Sequence, residues 1–123
     1  FPGQRFVLDH LAKPDIRGRR MAPWEDLIRE LASHPGISCK VSGMITEADW
    51  SCWCEDDLRP YLDVIFDAFG TGRLMFGSDW PVCLVAGDYA RVKGVLTHYL
   101  EAFTPEERHA VMSGNAVRFY GLD

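Results

Sequence analysis

The chain has 123 residues, which at ~150 residues per domain makes one domain at most, or a piece of one. Apolar residues supply 47% of it and charged residues 25%, enough to build a core and well away from the composition of disordered chains. Thirteen Lys and Arg against eighteen Asp and Glu leave a net charge of −5, which repels phosphate backbones and anionic bilayers and so excludes nucleic acid and membrane surfaces as expected partners.

The chain opens on Phe1 rather than Met, a few residues ahead of a core strand, so an upstream portion is expected. The run Arg5-Phe6-Val7-Leu8-Asp9, set between Pro2-Gly3 and Pro14, has the short apolar character of a buried strand and ends at Asp9-His10. Trp24, Leu27, Ile28, Leu31 and Ala32 then recur at helical spacing, opened by Pro23 and stopped by Pro35-Gly36. Residues 37–43 return to strand character, with Ser38, Lys40 and Ser42 on one side and Ile37, Cys39 and Val41 on the other. A polar and aromatic connection, 46–54, leads to a second helix. Its Leu58, Tyr61, Leu62, Ile65, Phe66 and Phe69 share one face, with Glu55, Asp56 and Asp57 at its positive start and Gly70 as its cap.

The third strand, Arg73-Leu74-Met75-Phe76-Gly77-Ser78, runs into Asp79-Trp80-Pro81. A third helix places Tyr89, Val92, Leu96, Tyr99, Leu100 and Phe103 on its buried stripe behind Asp88 as N-cap. Thr104-Pro105-Glu106-Glu107 is a capping box that opens a helix toward Ser113, and Asn115 starts a last short turn ended by Gly121. The four cysteines, Cys39, Cys52, Cys54 and Cys83, lack the C-x-x-C pairing of a structural zinc site and are expected as reduced thiols. No run approaches the ~18 apolar residues of a membrane span and no leader is evident, so a soluble cytoplasmic protein is expected.

Strand and helix alternate, with strand centres ~30–40 residues apart, the size of a βαβ unit. Parallel strands joined by crossover helices follow from that spacing. A closed barrel of eight such units needs ~250 residues, about twice this length. The expected fold is therefore α/β, with residues 1–123 forming a partial barrel domain, the C-terminal part of a (β/α)8 barrel whose N-terminal half is missing.

In such a barrel the functional groups stand at the C-terminal ends of the strands. Here those positions are His10, the segment 40–43, and Asp79. The residues alone leave two readings open, because Asp after a strand also forms turns and caps helices, and a His there also serves as a structural hydrogen-bonding group.

Four segments carry a resemblance: Phe6-Val7-Leu8-Asp9-His10-Leu11-Ala12-Lys13-Pro14, Cys39-Lys40-Val41-Ser42-Gly43, Phe76-Gly77-Ser78-Asp79-Trp80-Pro81-Val82, and Gly114-Asn115-Ala116 through Phe119-Tyr120-Gly121. In that order they closely resemble a motif series of the amidohydrolase-related TIM-barrel hydrolases, predicted metal-dependent enzymes that include sugar lactonases and dicarboxylate lactonases. The resemblance implies that the three strands are the sixth, seventh and eighth of the barrel. His10 then matches the histidine ending strand six, and Asp79 the water-activating aspartate ending strand eight. The family's His-x-His pair on strand one, and any groups on strands two to five, have no counterpart here.

The activity so implied is a hydrolase of carbohydrate metabolism that opens a cyclic ester, such as a sugar aldonolactone. Alternatives are a decarboxylase or other hydrolase of the same superfamily, or an inactive barrel fragment. Ester hydrolysis needs a base for water and a donor facing the carbonyl oxygen, and Asp79 and His10 have those chemistries. A divalent ion, zinc if present, would take His10 and Asp79 as candidate ligands; the family is not uniform in needing one, and no organic cofactor is expected. Lys40 is expected to pair with Asp9 or Asp79 or to contact substrate, since an unpaired Lys on a strand is costly. Trp50, Trp53 and Trp80 are placed in loops around the mouth, with Trp80 and Lys40 as the candidate substrate-binding residues. The expected partner is a small-molecule substrate, and the open sheet edges also invite a homo-oligomer.

Overall fold

The computed structural model describes residues 1–122. Strands β1 (Phe6–Leu8), β2 (Ile37–Val41) and β3 (Leu74–Phe76) form one parallel sheet in the order β1-β2-β3. Phe6 lies opposite Ile37, and Cys39 opposite Leu74. The parallel pairing agrees with the unit size read from the sequence, and each strand is shorter than its apolar run. At β1 the chain turns sharply after Leu8. At β3, Gly77 still donates its N–H to Val41 O at 3.1 Å before the backbone turns away.

Helix α1 (Trp24–Ala32) and helix α2 (Glu55–Phe69) are packed against each other and over Cys39 and Val41 of β2. The reason is the stripe: Ile28 and Ala32 of α1, and Leu58, Tyr61, Leu62, Ile65 and Phe69 of α2, are all buried, and burying each large side chain is worth about 1.5–3 kcal/mol. Asp57 Oδ2 accepts the Cys54 N–H at 3.0 Å, which satisfies one free donor at the start of α2. Helix α3 (Tyr89–Tyr99) is capped by Asp88, whose Oδ1 accepts the Arg91 N–H at 2.7 Å. Helix α4 (Pro105–His109) is capped by Thr104 through the Glu107 N–H at 3.2 Å, with Pro105 in its first turn.

Five local expectations need correction. Leu27 is 55% exposed and Tyr89 is 47% exposed; Leu27 lies one position round the helix from the core-facing Ile28, and Tyr89 is the first residue of α3, ahead of the turn that meets the core. The third helix ends at Tyr99 and continues as a 3-10 turn, Leu100–Ala102, before Phe103. No break follows Ser113: α4 passes through a wide π-helical turn, Ala110–Gly114, into α5 (Asn115–Tyr120). Asn115 starts this last short helix and Gly121 ends it, as expected; Asn115 is buried, and its Nδ2 donates to Thr71 O and Leu74 O, each at 2.7 Å, fastening the last helix to β3. Trp53 belongs to the core instead of the mouth, 4% exposed, because its indole N–H finds Ala86 O at 2.8 Å and the whole ring can then be buried.

The four cysteines are free thiols, with Cys39 and Cys83 buried. Burial pushes the Cys39 thiol up to about 12, so it behaves as a small apolar side chain. Among the described residues no helix is long and apolar enough to cross a membrane.

Candidate functional site

The end of β1 has an unusual backbone. His10, Leu11, Ala12 and Lys13 all have positive φ, between 50° and 56°, a left-handed turn that L-residues adopt at about 1–2 kcal/mol each. Two hydrogen bonds close it, Ala12 N–H to Asp9 O at 2.9 Å and Lys13 N–H to His10 O at 2.8 Å. Leu11 offsets the strain from its centre: its side chain is fully buried, and its carbonyl accepts the Trp24 indole N–H at 2.7 Å.

The turn carries His10 sideways over the end of β2, where Nδ1 lies 2.8 Å from Ser42 Oγ. Two glycines leave the room for this. Gly43 has φ +63°, and a Cβ there would stand 2.9 Å from the His10 ring; a Cβ on Gly77 would stand 2.9 Å from Ser42 Cβ. Ser42 itself is only 3% exposed. Beyond β3, Asp79 also takes a left-handed φ of 56°, and its carbonyl accepts the Cys83 N–H at 2.8 Å.

His10 Nε2 then faces two carboxylates, Asp9 Oδ2 at 3.2 Å and Asp79 Oδ1 at 3.7 Å. Asp79 is the more enclosed of the two, its side chain 14% exposed against 54% for Asp9. The other oxygen of Asp9 meets Lys40 Nζ at 3.4 Å. Partial burial works against the Lys40 ammonium, and Asp9 together with Tyr120 outweighs it, leaving Lys40 above its ordinary value and charged. Lys40, Asp9, His10 and Asp79 thus form a chain of alternating contacts across the C-terminal ends of all three strands, with Ser42 behind the imidazole.

The structure brings His10 and Asp79 together and attaches Lys40 to them through Asp9. Trp80 follows Asp79 at 63% exposure and Trp50 is 57% exposed, its indole N–H on Thr46 O, so neither ring is held against the others. Ser42 and Gly43 lie in the segment 40–43 that the sequence places at a strand end, without a role for either; Asp9 as a partner of His10, and Gly77, are site features that the sequence did not assign. The alternation of β2 does put Ser42 on the Lys40 side, which is the signal that points to it. Beside Ser42, Gly43 and Asp79 the packing leaves a cavity of only about 10 Å³, at the lower limit for a single water. The nitrogen and carboxylate donors are of the kind zinc takes, but among the described residues no cluster of three or more His, Cys, Asp or Glu side chains is disposed to hold a metal ion.

Comparison with known proteins places this geometry in context. The profile of the family described as Amidohydrolase matches residues 1–122. An L-fucono-1,5-lactonase of Burkholderia multivorans is 44% identical over 126 residues, spanning 94% of this chain and 43% of the relative. Two crystal structures of an amidohydrolase from Burkholderia multivorans, one with bound HEPES and one with bound zinc, superpose with TM-scores of 0.92 and 0.91 at 43% identity, over 98% of this chain and 45% of theirs. The chain therefore spans less than half the length of the relatives it matches, and its sheet and helices have the fold of that part of an amidohydrolase barrel. Profile, identity and superposition agree, and the chain belongs to the amidohydrolase family.

Proposed function

We propose that residues 1–123 are the C-terminal portion, strands six to eight, of one amidohydrolase barrel domain, and that the complete protein opens a sugar lactone to its hydroxy acid. L-fucono-1,5-lactone is the first substrate to try, from the name of the 44% identical relative. One observation carries the reading: groups from the two edge strands of the sheet converge beyond the C-terminal end of β2, with His10 Nε2 3.7 Å from Asp79 Oδ1.

Asp79 acts as the base. Its carboxylate takes a proton from water as the water oxygen attacks the lactone carbonyl carbon. Charge develops on the carbonyl oxygen, and His10 donates a hydrogen bond to it from Nε2. The tetrahedral intermediate then expels the ring oxygen, which takes up the proton held by Asp79. Lys40 steadies Asp9 and keeps a positive charge at the rim for a polyhydroxylated substrate, and the exposed face of Trp80 is suited to stacking on a sugar ring.

A divalent ion would lower the pKa of a bound water and polarise the carbonyl. His10 and Asp79 are its candidate ligands in this chain. They do not complete a site by themselves, and nothing in the reaction written above passes through a metal.

The test is hydrolysis of L-fucono-1,5-lactone by the protein with its barrel complete, followed by proton release. Asp79→Asn lowers turnover by on the order of 10²–10⁴, with a smaller change in KM because the base acts on water in the transition state. Near wild-type turnover in that variant would leave Asp79 as a turn former and overturn the assignment.

A further inference from the structure

We infer that Ser42 is the positioning residue for His10: its hydroxyl donates to Nδ1 and holds the ring turned so that the proton on Nε2 faces Asp79. The inference rests on the reading of His10 as the donor to the substrate carbonyl and names the group that aims it.

A neutral imidazole has one donor and one acceptor nitrogen, and its neighbours choose which is which. The neighbours of Nε2 are Asp9 Oδ2 at 3.2 Å and Asp79 Oδ1 at 3.7 Å, and carboxylates only accept. The neighbour of Nδ1 is the Ser42 hydroxyl at 2.8 Å, which can donate or accept. The arrangement that satisfies every group places the proton on Nε2 and turns the Ser42 O–H toward Nδ1.

The surroundings make this a built seat instead of a chance contact. Ser42 is 3% exposed, so water does not compete for its hydroxyl. Gly77 and Gly43 leave open the two places where a Cβ would press, at 2.9 Å, on Ser42 Cβ and on the His10 ring. The left-handed backbone at residues 10–13 fixes where the ring starts, and the Ser42 hydrogen bond fixes how it is turned. Sub-ångström placement of donors against the developing oxyanion is what such outer contacts supply.

The experiment is ¹⁵N NMR of the histidine rings in the full chain, with chelator present and the pH raised until the ¹⁵N shifts themselves report neutral rings. In the wild type His10 has its proton on Nε2. Ser42→Ala leaves the proton on Nε2 and moves the Nδ1 resonance downfield, to that of an acceptor without a hydrogen bond; Ser42→Thr moves it back, and His34, His98 and His109 keep their signals, reporting an intact fold. If Ser42→Ala does not fold, Ser42→Cys keeps the size with a weaker donor and moves the Nδ1 resonance in the same direction. A proton on Nδ1 in the wild type, or an Nδ1 resonance unchanged in the folded Ala or Cys variant, would overturn the inference.

In the protein with its barrel complete, Ser42→Ala lowers kcat by about 10- to 100-fold, the usual effect of removing an outer-shell partner, with little change in KM and recovery in Ser42→Thr. A wild type whose His10 carries its proton on Nε2 but which opens no lactone refutes the proposed reaction and leaves the role of Ser42 standing.

Discussion

The helix-packed side of the sheet and the C-terminal ends of its strands follow opposite rules. On the packed side, Cys39, Leu58 and Ile65 are fully buried in regular backbone, and the buried stripe of α2 is what its helical period requires. At the strand ends, five non-glycine residues, His10, Leu11, Ala12, Lys13 and Asp79, take left-handed backbone, and charged groups stand within 3.2–3.7 Å of one another. The packed side supplies the free energy that holds the strained end in place; the strained end supplies the chemistry. Variants on the two sides should therefore separate activity from stability.

The largest expected effect is at Asp79. Asp79→Asn costs about 3–5 kcal/mol of transition-state stabilisation if turnover falls 10²–10⁴-fold. Its stability, measured by urea denaturation, changes by no more than about 0.5 kcal/mol, since Asn accepts left-handed backbone as readily as Asp. A large loss of stability in this variant would break the separation.

Ile65→Ala on α2 is the reverse case. Its side chain is fully buried, so truncation costs about 2–5 kcal/mol and lowers the urea midpoint at unchanged slope. The folded fraction keeps wild-type turnover. A third comparison uses one substitution in both regions. Ala12→Gly relieves left-handed strain of about 1–2 kcal/mol against an unfolded-state entropy cost of about 0.4–1 kcal/mol, so it stabilises by up to about 1.6 kcal/mol. Ala90→Gly in α3, where the backbone is ordinary helix, destabilises by about 0.5–1 kcal/mol. Equal losses from both would show that residues 10–13 carry no strain.

The same division governs how much could be read from the sequence. The buried stripe of α2 is legible because its spacing needs no partner to interpret. His10 and Asp79 are legible as strand-ending residues, and Lys40 as a charge that must find a carboxylate, which it does at Asp9. The Ser42 partnership is not legible, because it depends on a left-handed turn through His10, Leu11, Ala12 and Lys13, none of which is a Gly or Asn that would announce such backbone. Trp53 and Trp50 sit three residues apart in one connection, and only the presence of Ala86 O beside Trp53 sends one ring inward. Asn115 reads as a polar helix start because the carbonyls it ties, Thr71 O and Leu74 O, lie more than forty residues away.

The smallest expected effect lies on the surface of the packed side. His98 Nδ1 and Glu55 Oε2 are 2.5 Å apart, joining the last turn of α3 to the first turn of α2. The hydrogen bond that the His98 ring donates to Glu55 is the main cause that raises the His98 pKa above its ordinary value, aided by the charges of Glu55 and Glu101 and opposed by slight desolvation and by Arg59. Because the folded value lies above the unfolded one, the native state binds the extra proton, and the pair contributes fully below the ordinary histidine value of about 6.5 and is lost as pH rises through the raised folded value. Glu55→Gln removes the carboxylate and, with it, a helix-start charge whose contribution is flat across this range. The melting-temperature difference between wild type and variant is therefore largest below the ordinary histidine value of about 6.5 and declines to a constant once the pH has passed the raised folded value. Both groups are solvent-exposed, so about 0.5 M salt flattens the curve. A difference that is already flat from about pH 5 upward at low salt would mean that the pair forms no pH-dependent link between the helices.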